Sequence, residues 1–132
     1  MREVRWRSFS RADYDALAEK AAALLAGLRD GEVQEVAYRE EECPACGRRG
    51  LRSFYRDHVG ERRTVGMSSV WCTHCHRYAS ATTVTMAAAG FDVDRVPEGV
   101  VRGLGGLELP EYLDALDRLW DEGVLPQRIR RR

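Results

Sequence analysis

Lysine is nearly absent from this chain: Lys20 stands alone among 21 basic residues, and the rest are arginine. A bias of that kind often follows GC-rich coding and carries little functional weight. Net charge is also absent, because 21 acidic residues balance the 21 basic ones, which argues against an obligate nucleic-acid coat protein. Long apolar runs are missing too. The longest, over residues 21–26, is an alanine-rich helix face far short of the ~18 residues a membrane span needs. The first residues, Met1-Arg2-Glu3-Val4-Arg5-Trp6, contain no apolar core of a secretory signal. The expected location is therefore the cytoplasm, with no membrane partner.

Catalytic signatures are equally scarce. Gly103-Leu104-Gly105-Gly106 lacks the Lys-Ser/Thr of a phosphate loop and reads as a flexible turn. Ser68-Ser69 has no nucleophile-elbow context. Asp92 with Asp94, and Asp114 with Asp117, read as loop and solvated-helix carboxylates. No nucleophile, base and orienting group occur together, so the expectation is a protein that is not an enzyme, with no small-molecule substrate inferred.

What is present supports a packed fold. Hydrophobic residues make up 44% of the 132 residues and charged residues 32%, enough apolar content for a core. The expected class is α+β: a small antiparallel sheet carrying a four-cysteine metal module, packed by an N-terminal and a C-terminal helix. The chain reads as a single domain over 1–132 in three parts. Residues 1–42 form a strand–helix–strand unit, 43–86 the cysteine module, and 87–132 an irregular segment followed by a helix and a basic tail.

In the first part, residues 3–9 alternate, with Val4 and Trp6 on one face. Ser10 caps a helix over about 11–29, whose apolar positions Leu17, Ala21, Leu24 and Leu28 recur at helical spacing. They are expected to lie on a sheet containing Val4, Trp6, Val36 and Tyr38. Residues 33–41 read as a strand leading into Cys43. Within the module, 51–57, 62–71 and 78–85 read as strands, with a turn at 58–61. Residues 91–107 are expected to be irregular. Pro110 opens a helix with Tyr112, Leu113, Leu116, Leu119 and Trp120 on its apolar stripe. Asp114, Asp117, Asp121 and Glu122 are expected on its wet side, and residues 128–132 to be frayed.

The four cysteines form two C-x2-C pairs, Cys43-Pro44-Ala45-Cys46 and Cys72-Thr73-His74-Cys75, with 25 residues between them. In a cytoplasmic protein, paired spacing points to metal or redox chemistry rather than structural disulfides. Each pair can curl into a tight turn that aims both sulfurs at one ion, and two such turns supply the tetrahedron of thiolates that zinc prefers. The spacer exceeds the usual ~15–20 residues, so the intervening hairpin must be long. Three other readings use the same residues. Cys72-Thr73-His74-Cys75-His76 matches the C-x-x-C-H haem-attachment motif but leaves Cys43 and Cys46 unexplained. Cys43-Pro44-Ala45-Cys46 could be a redox dithiol, but no βαβ unit precedes it. An iron–sulfur cluster also takes four cysteines, although these spacings suit zinc better. His58, His74 and His76 read as surface residues of the turn and knuckle, a histidine ligand in place of a cysteine being the alternative.

With the hairpin between its two knuckles and a third strand after Cys75, the segment of about residues 40–86 resembles a zinc ribbon. That resemblance implies a small three-stranded sheet and one structural Zn²⁺ held by Cys43, Cys46, Cys72 and Cys75. It does not choose among DNA, RNA and protein as partner. The flanking segments resemble no named family.

Charge is unevenly placed. Residues 1–42 carry a net −3, residues 43–82 a net +5 and residues 83–132 a net −2. Arg52, Arg56, Arg62, Arg63 and Arg77, with the ribbon's aromatics, are the candidate partner-binding face. Aromatics beside arginines suit nucleic-acid binding, but half of those aromatics are needed to pack the ribbon against the first helix. Zero net charge and acidic flanks favour a protein partner, with the chain acting as an adaptor, an antitoxin- or immunity-like neutraliser, or a complex subunit. A nucleic-acid-binding ribbon is the first alternative, and a small thiol or redox enzyme the second.

Overall fold

A computed structural model describes residues 5–31, 33–35 and 41–132. Val4, Val36 and Tyr38, expected on the first sheet, lie outside the described residues. The fold is α+β, with a mixed five-stranded sheet, a second small sheet and three helices. Strands β1 (Arg7–Ser8), β3 (Glu41–Glu42), β4 (Arg49–Val59), β5 (Thr64–Cys72) and β6 (Arg77–Thr83) form the larger sheet in the order β1-β6-β5-β4-β3. All its pairings are antiparallel except that of β1 with β6, where Arg7 aligns with Arg77 and Ser8 with Tyr78. β4 and β5 pair without interruption from Leu51↔Cys72 to Val59↔Thr64.

Side chains alternate across this sheet, and each face carries a helix. Helix α1 (Arg11–Ala26) starts where Ser10 Oγ accepts the Asp13 N–H at 3.1 Å, the expected cap. It ends at Ala26 with Gly27 as its cap, three residues short of the expected end at 29, because Gly is a poor helix former and Leu28 turns inward. Leu17 is the one fully buried residue within the helix, packed with Phe9, Leu51, Cys43 and Cys72. Leu24 and Ala21 are only half-buried, so the expected four-residue contact is much thinner than the spacing implies. Small alanine side chains offer little apolar area, and the helix leaves most of them in water. Leu17→Asp should cost about 3 kcal/mol or more, and Leu24→Asp only about 1 kcal/mol, read as the difference in urea midpoints.

The opposite face holds the main core. Helix α3 (Leu109–Asp121), with Pro110 in its first turn, lays Leu113, Leu116 and Trp120 against Phe54 and Trp71. Trp71 and Trp120 meet edge to face, with ring centroids 6.4 Å apart. Trp6 joins this cluster, so the ribbon's aromatics and Trp6 pack on α3 and not, as expected, on α1. The reason is volume: α3 presents leucine and tryptophan where α1 presents mostly alanine.

Two segments expected to lack order are ordered. Residues 91–107 contain β7 (Phe91–Val93) and helix α2 (Glu98–Leu104), whose Leu104 is buried in the main core. The tail forms β8 (Arg128–Arg131), the middle strand of a sheet ordered β2 (Val33–Glu35)-β8-β7. Ile129 is buried with Leu28 and Phe91, while Arg128, Arg131 and Arg132 pair with Asp94, Asp30 and Asp92. A single buried isoleucine supplies the alternation, and the surrounding arginine run disguises it. Of the expected strand over 33–41, residues 33–35 belong to β2 and residue 41 to β3, in different sheets, and residues 36–40 lie outside the described residues.

Tyr55 ties the two sheets' connecting loop to β4. Its hydroxyl donates to Asp57 Oδ1 at 2.7 Å and accepts the Met86 N–H at 2.8 Å. Burial, then the Asp57 carboxylate, pushes its pKa up to about 12. The folded chain thus holds the phenolic proton more tightly than the unfolded chain. That contribution is fully present below about pH 10 and is lost as pH rises toward 12. An ultraviolet titration should show a tyrosine step near pH 12, and Tyr55→Phe should abolish it.

Candidate metal centre

Each C-x2-C pair forms the same turn. In the first, the Gly47 N–H donates to the Cys43 carbonyl at 2.8 Å and the Ala45 N–H points at Cys43 Sγ at 3.4 Å. In the second, the His76 N–H donates to the Cys72 carbonyl at 3.0 Å and the His74 N–H points at Cys72 Sγ at 3.4 Å. Both turns close with a left-handed residue, Gly47 at φ 75° and His76 at φ 57°. Glycine suits that conformation at no steric cost; histidine is one of the few other residues enriched there. The His76 ring is held edge-on to Trp6, with centroids 5.1 Å apart.

The Leu51↔Cys72 register and the Thr73 N–H bond to the Gly50 carbonyl, at 2.9 Å, place both turns at the open end of the β4–β5 hairpin. The 25-residue spacer is thereby accommodated, because the hairpin extends away from the cysteines through nine registered pairs. At this end sulfurs from different turns become neighbours. Cys43 Sγ lies 3.7 Å from Cys75 Sγ, and Cys46 Sγ lies 3.8 Å from Cys72 Sγ. All four sulfurs fall within 4.8 Å of one another. A tetrahedron with metal–sulfur distances of about 2.3 Å has sulfur–sulfur edges of about 3.8 Å. A disulfide would need about 2.05 Å. The arrangement can hold one metal ion through four thiolates. The haem and dithiol readings each use one pair alone and leave the other pair's position unexplained.

Electrostatics favour a cation here. Burial pushes the Cys43 and Cys75 thiols up, so thiolates at those positions need a compensating positive charge. Cys46 also feels burial, but the Arg48 N–H and the neighbouring thiols hold it below the ordinary thiol value. Burial, then the nearby Arg5 guanidinium, lowers the His76 pKa. Cys43 and Cys72 are buried, while Cys46 and Cys75 lie toward the surface.

The candidate partner residues are scattered. Arg52 is not on a surface: it is buried, and its guanidinium meets Asp117 Oδ1 at 2.9 Å and Asp121 Oδ1 at 3.0 Å. Arg56 is half-buried midway along β4. Arg62 and Arg63 are exposed at the hairpin tip, and Arg77 is half-buried beside Arg7 at the cysteine end. At about 3.3 Å per residue, the nine-pair ladder separates tip from cysteines by about 30 Å. These arginines therefore do not make one patch.

Asp117, expected in water, is the hub of the site's supporting shell. Its Oδ1 also accepts the Trp71 Nε1–H at 2.9 Å, and its Oδ2 accepts the Thr73 hydroxyl at 3.0 Å. Asp114 Oδ1 accepts the Trp6 Nε1–H at 2.9 Å. Helix α3 thus grips residues on both sides of Cys72. A signal for this was legible: Asp117 follows Leu113 by four and precedes Trp120 by three, which puts it on the buried stripe. Among the described residues, no helix is long and apolar enough to cross a membrane. Comparison of the chain with protein-family models, with curated proteins and with solved structures returns no match in any of the three.

Proposed function

We propose that this chain is a non-enzymatic zinc-ribbon binding protein. Cys43, Cys46, Cys72 and Cys75 hold one structural Zn²⁺, and the folded unit acts on a protein partner as an adaptor, a neutraliser or a complex subunit. The observation that carries the metal assignment is the pair of sulfur separations, 3.7 and 3.8 Å, which match the edge a tetrahedral zinc tetrathiolate requires. Thiolate ligands suit Zn²⁺ well, and four protein ligands leave no coordination position for water or substrate. The purified chain should carry about one zinc, and its four cysteines should resist thiol reagents until a chelator is added. Stoichiometric iron or haem, or two freely reacting thiols at full zinc occupancy, would overturn the assignment.

A second reading, nucleic-acid binding, is favoured by one feature. Arg5, Arg7, Arg48, Arg49 and Arg77 sit on or beside the knuckles and make no ion pair among the described residues. A zinc tetrathiolate, with a net charge of about −2, offsets part of that excess. Salt separates the readings. Phosphate contacts through several arginines weaken steeply as salt rises, whereas an interface with an apolar centre does not.

A further inference from the structure

The four sulfurs divide into two contacts that each join one knuckle to the other. Cys46 Sγ lies 3.8 Å from Cys72 Sγ, and Cys75 Sγ lies 3.7 Å from Cys43 Sγ. Together the two contacts use every cysteine of the chain once. Each also joins an outer sulfur to an inner one. Cys46 is exposed and Cys75 half-buried, whereas Cys72 is fully buried and Cys43 is 2% exposed. The first knuckle stands open along its whole turn, because residues 44–49 are all exposed. On the second knuckle His74 is exposed between the half-buried Thr73 and Cys75. Cys46 Sγ is therefore the sulfur that a small solute in water meets first.

We infer that Cys46 is a peroxide-reactive site and Cys72 its resolving partner, so that oxidation exchanges the bound zinc for a disulfide between the knuckles. The inference rests on the structural-zinc reading. The thiolate is the nucleophile in such chemistry, and a cysteine that ligates a metal is a thiolate already. Solvent-accessible sulfurs poised beside a second cysteine are the ones that react and are resolved. Hydrogen peroxide is little larger than water, so it reaches Cys46 where bulkier thiol reagents are held off. Cys72 has the opposite character. Burial keeps peroxide from it, while its contact with Cys46 is already made.

The electron count closes with hydrogen peroxide as the oxidant. The Cys46 thiolate attacks one peroxide oxygen, the O–O bond breaks, hydroxide leaves and a sulfenic acid remains on Cys46. The Cys72 thiolate then attacks Cys46 Sγ, the S–O bond breaks and a second hydroxide leaves. The sulfurs have given up two electrons between them, and the peroxide has become two hydroxides. Forming the bond closes the sulfur separation from 3.8 Å to about 2.05 Å. The chain keeps only the Cys43 and Cys75 thiolates where a structural site needs four ligands, and so it releases the ion. A second peroxide repeats the sequence at Cys75, with Cys43 resolving.

The test uses the full zinc-loaded chain, hydrogen peroxide added in steps, and a colorimetric chelator that reads released zinc. Zinc content is measured before any peroxide is added. About one zinc should leave for each peroxide consumed in the first phase. Dimedone, a sulfenic-acid trap, should label Cys46 first. Without the trap, peptide mapping should find Cys46 joined to Cys72 while Cys43 and Cys75 still alkylate. A thiol reductant with added zinc should restore the starting state. Cys46→His keeps a four-ligand set that zinc accepts, and it should slow release about tenfold or more. If that variant loads no zinc, the wild-type disulfide map decides alone. Four results each overturn this inference and leave the structural-zinc reading standing, provided zinc is full at the start. They are no release at millimolar peroxide, a first label on Cys75, a first disulfide within one knuckle, and release from Cys46→His at the wild-type rate. A chain that carries no zinc before peroxide overturns the structural-zinc reading, and this inference with it.

Discussion

Cys72→Ser should not merely weaken metal binding; it should unfold the cysteine end of the molecule. Cys72 is fully buried and packs with Phe9, Leu17, Cys43 and Leu51, so the proposed ligand is also a core side chain. In small structural zinc modules the apparent binding free energy is about 10–16 kcal/mol, and it is folding free energy because no site exists in the unfolded chain. The net stability of a domain is only about 5–15 kcal/mol, so losing a large part of the metal's contribution exhausts it. The variant should lose its stoichiometric zinc and most of its cooperative thermal transition. Hydrogen-exchange protection should fall along β4, β5 and α3 together, because Thr73, Trp71 and α3 share Asp117. Chelator applied to the wild type should reproduce the effect. Acid should too: bound thiolates must be deprotonated, so the metal-linked stability is present near neutral pH and is lost as pH falls and protons displace the ion. A Cys72→Ser chain with full zinc and an unchanged melting temperature would overturn the four-thiolate assignment.

The cysteine cluster was legible because its signal is local. Two C-x2-C turns need only a hairpin between them, and the alternation of residues 62–71 supplies one strand of it. The α+β class, the Ser10 cap and the helix opening at Pro110 were legible for the same reason: caps and short periods are written within a few residues. Misreadings arose where tertiary pairing decides. Phe91–Val93 and Arg128–Arg131 are too short to show a period; the first is a strand because the second lies beside it, and the second because it lies between Phe91–Val93 and Val33–Glu35. Arg52 looks like any surface arginine until α3 brings Asp117 and Asp121 to it. The choice of α3 over α1 as the main packing helix turned on side-chain volume, which an apolar/polar pattern does not record.

Asp117→Ala is expected to be the most damaging change outside the cysteines. The carboxylate accepts from Arg52, Trp71 and Thr73, and Arg52 and Trp71 are both buried. Its removal takes one buried carboxylate from the guanidinium, which keeps the exposed Asp121 and the residue-117 carbonyl, and takes the Asp117 acceptor from the Trp71 indole N–H. Breaking a buried ion pair from one side costs about 3–5 kcal/mol, mostly the desolvation of the charge left behind. For a chain of this size that lowers the melting temperature by about 10–20 °C. Asp117→Asn keeps the shape and one acceptor oxygen, so it should cost about half as much. Replacing both partners, Arg52→Met with Asp117→Leu, should recover much of the loss because no charge is then buried, and the double-mutant cycle measures the coupling directly. The zinc readout separates support of the site from plain stability. Thr73 lies between Cys72 and Cys75, so loosening its hydroxyl should weaken metal affinity about tenfold in competition with a chelator. Thr73→Val should show that loss with a melting temperature lowered by only about 5 °C, the share that a tenfold weaker metal site accounts for. If Asp117→Ala melts within about 0.5 kcal/mol of wild type, α3 does not anchor the cysteine end through this carboxylate, and the apolar contacts of Leu113, Leu116 and Trp120 hold the helix alone.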